Sequence, residues 1–255
     1  AAPTTGSDGS GYELAKKIGH KIITPVPALV QLKGQGDYFK SLAGVRVQAS
    51  VNLYINSKIT YEEYGEIQFV NYGISGIPVF QLSRYAARGV KEGKNVTVTI
   101  DFLRELDMNE LEDLILDRIR LCPYKINEEL LTGMFNKKLN IVLLKRARIQ
   151  LKEKVIMITK SQIRQLTKAI KEFEVKIIDT NSFENAQVCA GGVDTREINE
   201  ETLESKKTKG LYFAGEIMDI DGACGGYNLQ WAWTSGYIAG FMASRKALVE
   251  KEENR

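Results

Sequence analysis

Leu211-Tyr-Phe-Ala-Gly-Glu216, then Asp219-Ile-Asp-Gly222 and Gly225-Gly-Tyr-Asn-Leu-Gln-Trp-Ala-Trp233, is the stretch on which the fold turns. An apolar run closing in Gly215-Glu216 predicts a buried strand that delivers a carboxylate at its carboxyl end, where ligands of open α/β sheets bind. Gly225 and Gly226 let backbone approach a planar ligand. A helix opening there aims free N–H groups and a positive dipole end at an electron-rich edge. Together these features read as a cofactor cradle. The plainer reading is a strand–loop–helix unit whose glycines serve only a turn, because one Gly-Gly pair is weak evidence.

The run from Gly210 through Glu216 and Gly222 to Gly225-Gly-Tyr-Asn-Leu-Gln-Trp-Ala232 resembles the closing flavin motif of the BaiN-type flavoproteins, NAD(P)/FAD-dependent oxidoreductases that include aminoacetone oxidase. Pro3-Thr-Thr-Gly-Ser-Asp-Gly-Ser-Gly-Tyr12 resembles that family's Pro-x-Thr-Gly-Ser-x-Gly-x-Gly-Tyr segment. Gly73-Ile-Ser-Gly76 through Gln81-Leu-Ser-Arg84 resembles its substrate-domain segment, and Ala190-Gly-Gly-Val193 its Ala-Gly-Gly-Val. The resemblance spans essentially the whole chain. It implies FAD as the redox centre, a nicotinamide cofactor or small-molecule electron donor, and a small-molecule substrate. It also implies that Gly215 and Glu216 belong to the cofactor site, Glu216 binding the ribityl or ribose hydroxyls, while Gly225, Gly226, Tyr227 and Asn228 face the isoalloxazine pyrimidine edge. Asp219 and Asp221 either contact the cofactor or stabilise the turn and the helix start. No side-chain set stands out as a catalytic acid, base, substrate clamp or metal cluster.

In that family a Gly-x-Gly-x-x-Gly βαβ unit lies upstream of the Pro-x-Thr-Gly-Ser segment and holds the FAD pyrophosphate. Here the sequence starts at that segment, and Gly6, Gly9 and Gly11 give Gly-x-x-Gly-x-Gly with no preceding strand. The expectation is therefore an N-terminally truncated flavoprotein piece, inactive or weakly flavin-binding alone, whose partner is the missing N-terminal FAD-binding segment. The alternative is a non-catalytic binding or interaction module that associates with a partner chain. Apolar faces of the last helix and of strands near residues 175–214 are expected to be uncovered, favouring a homo-oligomer.

The fold class expected is α/β plus β, a remnant of a FAD-binding Rossmann-like domain carrying a large inserted β-barrel-like and helical substrate domain. Residues 1–24 and 159–255 would be the FAD-domain pieces. Residues 25–158 would be the insertion, β-rich over 25–103 and helical over 104–158. Val45 to Ile55 alternates apolar and polar residues at the period of a half-buried strand. Shorter strands are expected at 58–64, 66–71, 95–101, 175–178 and 186–190, with an extended crossover at 24–27. Helices are expected at 11–20, 77–90, 128–135, 137–147 and 227 to about 247, the end from 251 to 255 being frayed. Asp107 with Glu110, and Thr159 with Gln162, look like capping pairs; the latter opens a helix with Ile163, Leu166, Ile170 and Phe173 in one stripe. Gly191-Gly192 would admit the flavin or a partner strand.

Composition is compatible with this picture: with 44% hydrophobic and 26% charged residues, a chain of 255 can bury a sizeable core. No apolar run approaches the roughly 20 residues of a membrane span, and no signal-peptide pattern is visible. Cys122, Cys189 and Cys224 are odd in number and far apart, which fits a reducing cytosol, so the expected localisation is cytoplasmic. Cys224 is read as a small packed residue rather than a redox thiol. His20, the sole histidine, excludes zinc sites built on His pairs; it is read as capping the end of the first helix. Residues 137–176 hold twelve basic and three acidic side chains, but with little aromatic interleaving this is a solvated face rather than a nucleic-acid surface.

Overall fold

Residues 1–253 are described in a computed structural model, with side chains through Lys246. In chain order the elements are α1 (Ser10–Lys17), β1 (Ile22–Ala28), β2 (Leu32–Gly34), α2 (Tyr38–Leu42), β3 (Arg46–Ile55), β4 (Lys58–Val70) and β5 (Gly73–Gly76). They continue with α3 (Ile77–Lys91), β6 (Val96–Asp101), α4 (Met108–Leu121), α5 (Lys137–Arg146), α6 (Lys160–Lys171), β7 (Phe173–Thr180), β8 (Val188–Val193) and α7 (Tyr227–Glu253). The expected fraying at 251–255 falls where helix is assigned to Glu253, while Asn254 and Arg255 lie outside the described residues. The chain divides into two compact units, residues 31–180 and residues 1–30 with 181–255.

The unit spanning 31–180 is a closed antiparallel barrel in the order β2-β5-β4-β3-β6-β7, with helices packed on it. Alternating burial of Ala49, Val51 and Leu53 bears out the strand read from the β3 sequence. Asn56 and Ser57 both take positive φ (49° and 64°), the backbone a tight hairpin needs to match strand twist. The two strands expected at 58–64 and 66–71 are one, since β4 runs straight through Gly65. Closure brings backbones very close at Gly73, where a Cβ would lie 1.9 Å from the Leu32 carbonyl oxygen.

Phe39, Phe69, Phe102 and Phe173 form the aromatic centre of this unit's core, with Phe102–Phe173 centroids 5.5 Å apart and Phe69–Phe173 6.1 Å. α6 contributes Ile163, Leu166 and Ile170 to that same core, whereas Phe173 belongs to β7 rather than to the helix stripe. The boundaries read from sequence at 24/25 and 158/159 thus differ from the structural divisions at 30/31 and 180/181. The reason is pairing: β7 hydrogen-bonds to β6 and β2, which ties it and α6 to the barrel.

Both capping pairs form. Asp107 accepts from Asn109 and Glu110 N–H while Glu110 accepts from Asp107 N–H, and Thr159 with Gln162 does the same for α6. Replacing Asp107 by Ala is expected to lower stability by about 1 kcal/mol, read as a shifted denaturant midpoint with unchanged slope. Residues 128–135 are not a helix: only Asn127–Glu129 makes a 3-10 turn, and Asn127 Nδ2 bonds instead to the Gln150 carbonyl at 2.7 Å.

The second unit is built on a two-stranded antiparallel sheet, β1 with β8. The segment read as an extended crossover is β1 itself; its register slips between Ile23 and Val26, around Pro25, which has no N–H to give the ladder. Gly191 lies against the paired strand β1, as one of its two readings had it, a Cβ there falling 2.8 Å from Pro25 Cα, and a Cβ on Gly192 would lie 2.4 Å from the Ile217 carbonyl oxygen. The strand expected at 211–214 is absent. Tyr212 makes an isolated bridge to Glu204, and Phe213 N–H bonds to the Leu203 carbonyl, so a local loop has claimed that backbone.

In α1 only Ala15 of the expected apolar face is buried, while Leu14 is 63% exposed. All of β8 is buried, contrary to the uncovered strand expected there. α7 does expose Trp233 and Tyr237, at 67% and 72%, and of its small residues Ser235 and Ala239 pack while Gly236 and Gly240 face open space. Among the described residues no helix is long and apolar enough to cross a membrane.

Candidate cofactor loop

The loop from Gly215 to Tyr227 collects the residues singled out from the sequence. Gly215–Ile217 is a 3-10 turn, not a strand end, and Ser235 holds it: Gly215 N–H donates to Ser235 Oγ (2.8 Å), whose hydroxyl donates to the Trp231 carbonyl (2.5 Å). The signal of Ser235 in the sequence is a hydroxyl within a stripe of small residues, Ala232, Gly236, Ala239 and Gly240. Glu216 accepts from Cys189 N–H at 2.5 Å through Oε1, and its Oε2 lies 3.3 Å from the Ala1 amino group, with the side chain still 40% exposed. Asp219 is placed by its backbone, whose N–H bonds to the Val193 carbonyl at 3.0 Å.

Gly225 and Gly226 take φ of 126° and 93°, the region that favours glycine. A Cβ on Gly226 would meet nothing within 4 Å, and one on Gly225 would touch only the Tyr227 ring. Protein packing therefore does not fill the space beside this pair. Gln230 N–H is the first to bond inside α7, to the Gly226 carbonyl at 3.0 Å, so the N–H groups of 227–229 have no acceptor within the helix. An open glycine shelf beside unclaimed donors suits a flat ligand with an electron-rich edge, and the half-exposed Glu216 carboxylate suits hydroxyls. These residues fit a flavin on geometry and donor chemistry. Asn228 is placed differently from the ligand-facing role implied for it: its amide bonds within the loop, to Gly222 and Ala223.

Beside Glu216, Pro3, Asp8, Tyr12, Pro25, Phe183 and Cys189 line a cavity of about 350 Å³. Burial pushes the Tyr12 phenol well above its ordinary value, with Cys189 and Glu216 adding to the shift, and burial likewise raises the Cys189 thiol. Cys224 is half-buried and in no disulfide, its Sγ 4.0 Å from Gln187 Oε1. Among the described residues no group of His, Cys, Asp and Glu is placed to hold a metal ion.

His20 closes α1 with its backbone, its N–H donating to the Ala15 carbonyl at 3.0 Å, while its side chain is engaged elsewhere. Its ring is buried, with Nδ1 3.0 Å from Glu197 Oε2 and Nε2 2.8 Å from Ser205 Oγ. The arrangement has the outline of a nucleophilic triad, yet Ser205 Oγ already accepts N–H bonds from Lys207 (3.0 Å) and Thr208 (2.9 Å). Both lone pairs are engaged, so the hydroxyl proton points to Nε2 and Nδ1–H donates to Glu197. This is a clasp, not an activated serine.

Glu197 is held below the usual carboxylate range, first by the Lys207 ammonium at 2.6 Å, helped by the Lys21 N–H and the His20 ring. A carboxylate depressed on folding adds stability above its ordinary value, and that stability is lost as pH falls through the folded value. Asp194, depressed by Arg196, acts in the same direction. Glu197→Gln is therefore expected to flatten the fall in melting temperature on acidification below about pH 4.5 while lowering it at pH 7. Equal slopes in the two proteins would count against the clasp.

The family description "HI0933-like protein Rossmann domain" matches residues 1–242. A 3-dehydro-bile acid delta(4,6)-reductase from Clostridium scindens is 46% identical over 246 residues, covering 96% of this chain and 60% of that protein. Ribosomal RNA dihydrouridine synthases from Haemophilus influenzae and Escherichia coli are 29% and 30% identical, covering 96% and 92% of this chain and 58% and 56% of their own lengths. The chain thus spans 56–60% of the length of these relatives.

Proposed function

The chain belongs to the HI0933-like Rossmann-domain family, and from that premise we propose that it forms the flavin-facing loop and the barrel of an FAD-dependent reductase acting on a carbon–carbon double bond conjugated to a carbonyl. The observation carrying this reading is the open shelf at Gly225-Gly226 beside the unclaimed N–H groups that start α7. The relatives support the chemistry: one is named for reducing delta(4,6) unsaturation in a 3-dehydro-bile acid, and dihydrouridine is uridine with its ring double bond saturated. The higher identity to the former favours a small-molecule substrate over RNA.

Bound flavin supplies hydride transfer. The protein's own work is to bind and polarise: N–H groups at 227–229 take the electron-rich edge, where negative charge grows on reduction, and the Glu216 carboxylate receives sugar-chain hydroxyls. Overall, one hydride equivalent and one proton add across the double bond as NAD(P)H is oxidised to NAD(P)+. No Gly-x-Gly-x-x-Gly occurs in these 255 residues, so by themselves they are proposed to hold FAD weakly and to show little or no turnover. Visible absorbance after incubation with FAD and gel filtration tests the reading. A retained, perturbed flavin band supports it; a colourless protein even at high FAD concentration overturns flavin binding by this loop.

A further inference from the structure

Asn228 was expected to face the ligand, but its hydrogen bonds run the other way. Oδ1 accepts from Gly222 N–H at 2.8 Å, Nδ2 donates to the Gly222 carbonyl at 3.1 Å, and the second Nδ2 hydrogen is within reach of the Ala223 carbonyl at 3.4 Å. Two bonds to the N–H and C=O of one residue reproduce what a neighbouring strand would offer, so a side chain in the first turn of α7 acts as the loop's pairing partner. The fit is close: a Cβ on Gly222 would lie 3.0 Å from Tyr227 Cβ and 3.5 Å from Asn228 Oδ1.

Between the clamped Gly222 and the helix start lie only Ala223, Cys224, Gly225 and Gly226. Both glycines have left-handed φ, and apart from the Tyr227 ring beside Gly225 no protein atom lies where a side chain would start, so their conformational freedom is large. Fixing Gly222 against Asn228 removes much of that freedom before any ligand arrives. Preorganising a loop in its binding conformation raises affinity because less ordering remains to be done on binding.

Resting on the flavin reading above, we propose that Asn228 is a positioning residue: it sets the Gly225-Gly226 shelf for flavin by holding Gly222, and does not contact the flavin itself. Its two roles separate by substitution. Asn228→Ala removes all three bonds, whereas Asn228→Asp keeps an acceptor for Gly222 N–H but loses both donations.

The test combines backbone amide exchange across residues 219–230 in the flavin-free protein with FAD titration by flavin fluorescence and absorbance. Asn228→Ala should exchange faster at Gly222 and bind FAD about tenfold more weakly, with a less structured flavin band; Asn228→Asp should fall between it and wild type in both. Loss of FAD affinity with unchanged exchange at Gly222 would mean direct contact and overturn the proposal. Faster exchange with unchanged affinity and spectrum would overturn it equally. If Asn228→Ala fails to fold, Asn228→Asp carries the same comparison. A wild-type chain that binds no FAD removes the flavin reading and the positioning role with it, and exchange at Gly222 still reports whether the clamp exists.

Discussion

Phe173→Ala is expected to destabilise the 31–180 unit by about 3–5 kcal/mol, the range for deleting a fully buried aromatic ring. Phe173 has no exposed surface, and edge-to-face rings surround it: Tyr38 at 5.5 Å, Phe69 at 6.1 Å and Phe102 at 5.5 Å between centroids. The Arg146 guanidinium lies 3.6 Å from its centroid and donates to the Glu174 carbonyl at 3.0 Å, so truncation also removes the ring on which this cation lies. A barrel cannot collapse easily into such a void, because its strands are pinned to neighbours on both sides. Urea denaturation followed by tryptophan-independent far-UV dichroism measures the effect, with exposed Phe241→Ala as the comparison. A loss under about 1 kcal/mol for Phe173→Ala would show that the aromatic centre is not the keystone of this core.

Gly226→Val is expected to weaken FAD binding by more than tenfold, about 1.4 kcal/mol or more. The new Cβ enters space in which no protein atom lies within 4 Å, so no packing is disturbed. What the fold bears is a β-branched residue at φ of 93°, a strain of about 1–3 kcal/mol, in a loop with few neighbours to transmit it. Gly226→Asn separates the contributions, since Asn tolerates left-handed φ better yet still projects into the shelf. Asn should therefore restore melting temperature without restoring FAD affinity. Wild-type affinity in both variants would place the flavin elsewhere.

Much of the barrel was legible because alternating burial is a local signal: Ala49, Val51 and Leu53 announce their strand regardless of what pairs with it. Closure was not legible, because it depends on three-residue β2 bridging β5 and β7, with Leu32 opposite Thr180 across most of the chain. The same blindness produced the strand at 211–214, where apolar character was read correctly but the partner was not: Tyr212 and Phe213 bond to a loop. His20 illustrates the limit for sites. Its partners Glu197 and Ser205 stand 177 and 185 residues away, beyond any spacing rule. The Asn228 clamp could have been found, since Asn six residues after Gly222 at a helix start is a side chain that habitually bonds nearby backbone.

The pairing of Leu32 with Thr180 also sets an expected order of folding. β1 and β8 cannot meet by chance cheaply, because the intervening 31–180 segment makes theirs a distant loop closure. Barrel closure sets Leu32 opposite Thr180 and so shortens the loop that β1 and β8 have to close. On that order Phe173→Ala is expected to delay refolding of β1 on β8 although Phe173 lies in the other unit, and an unchanged β1–β8 refolding rate would show that this pairing does not wait for the barrel.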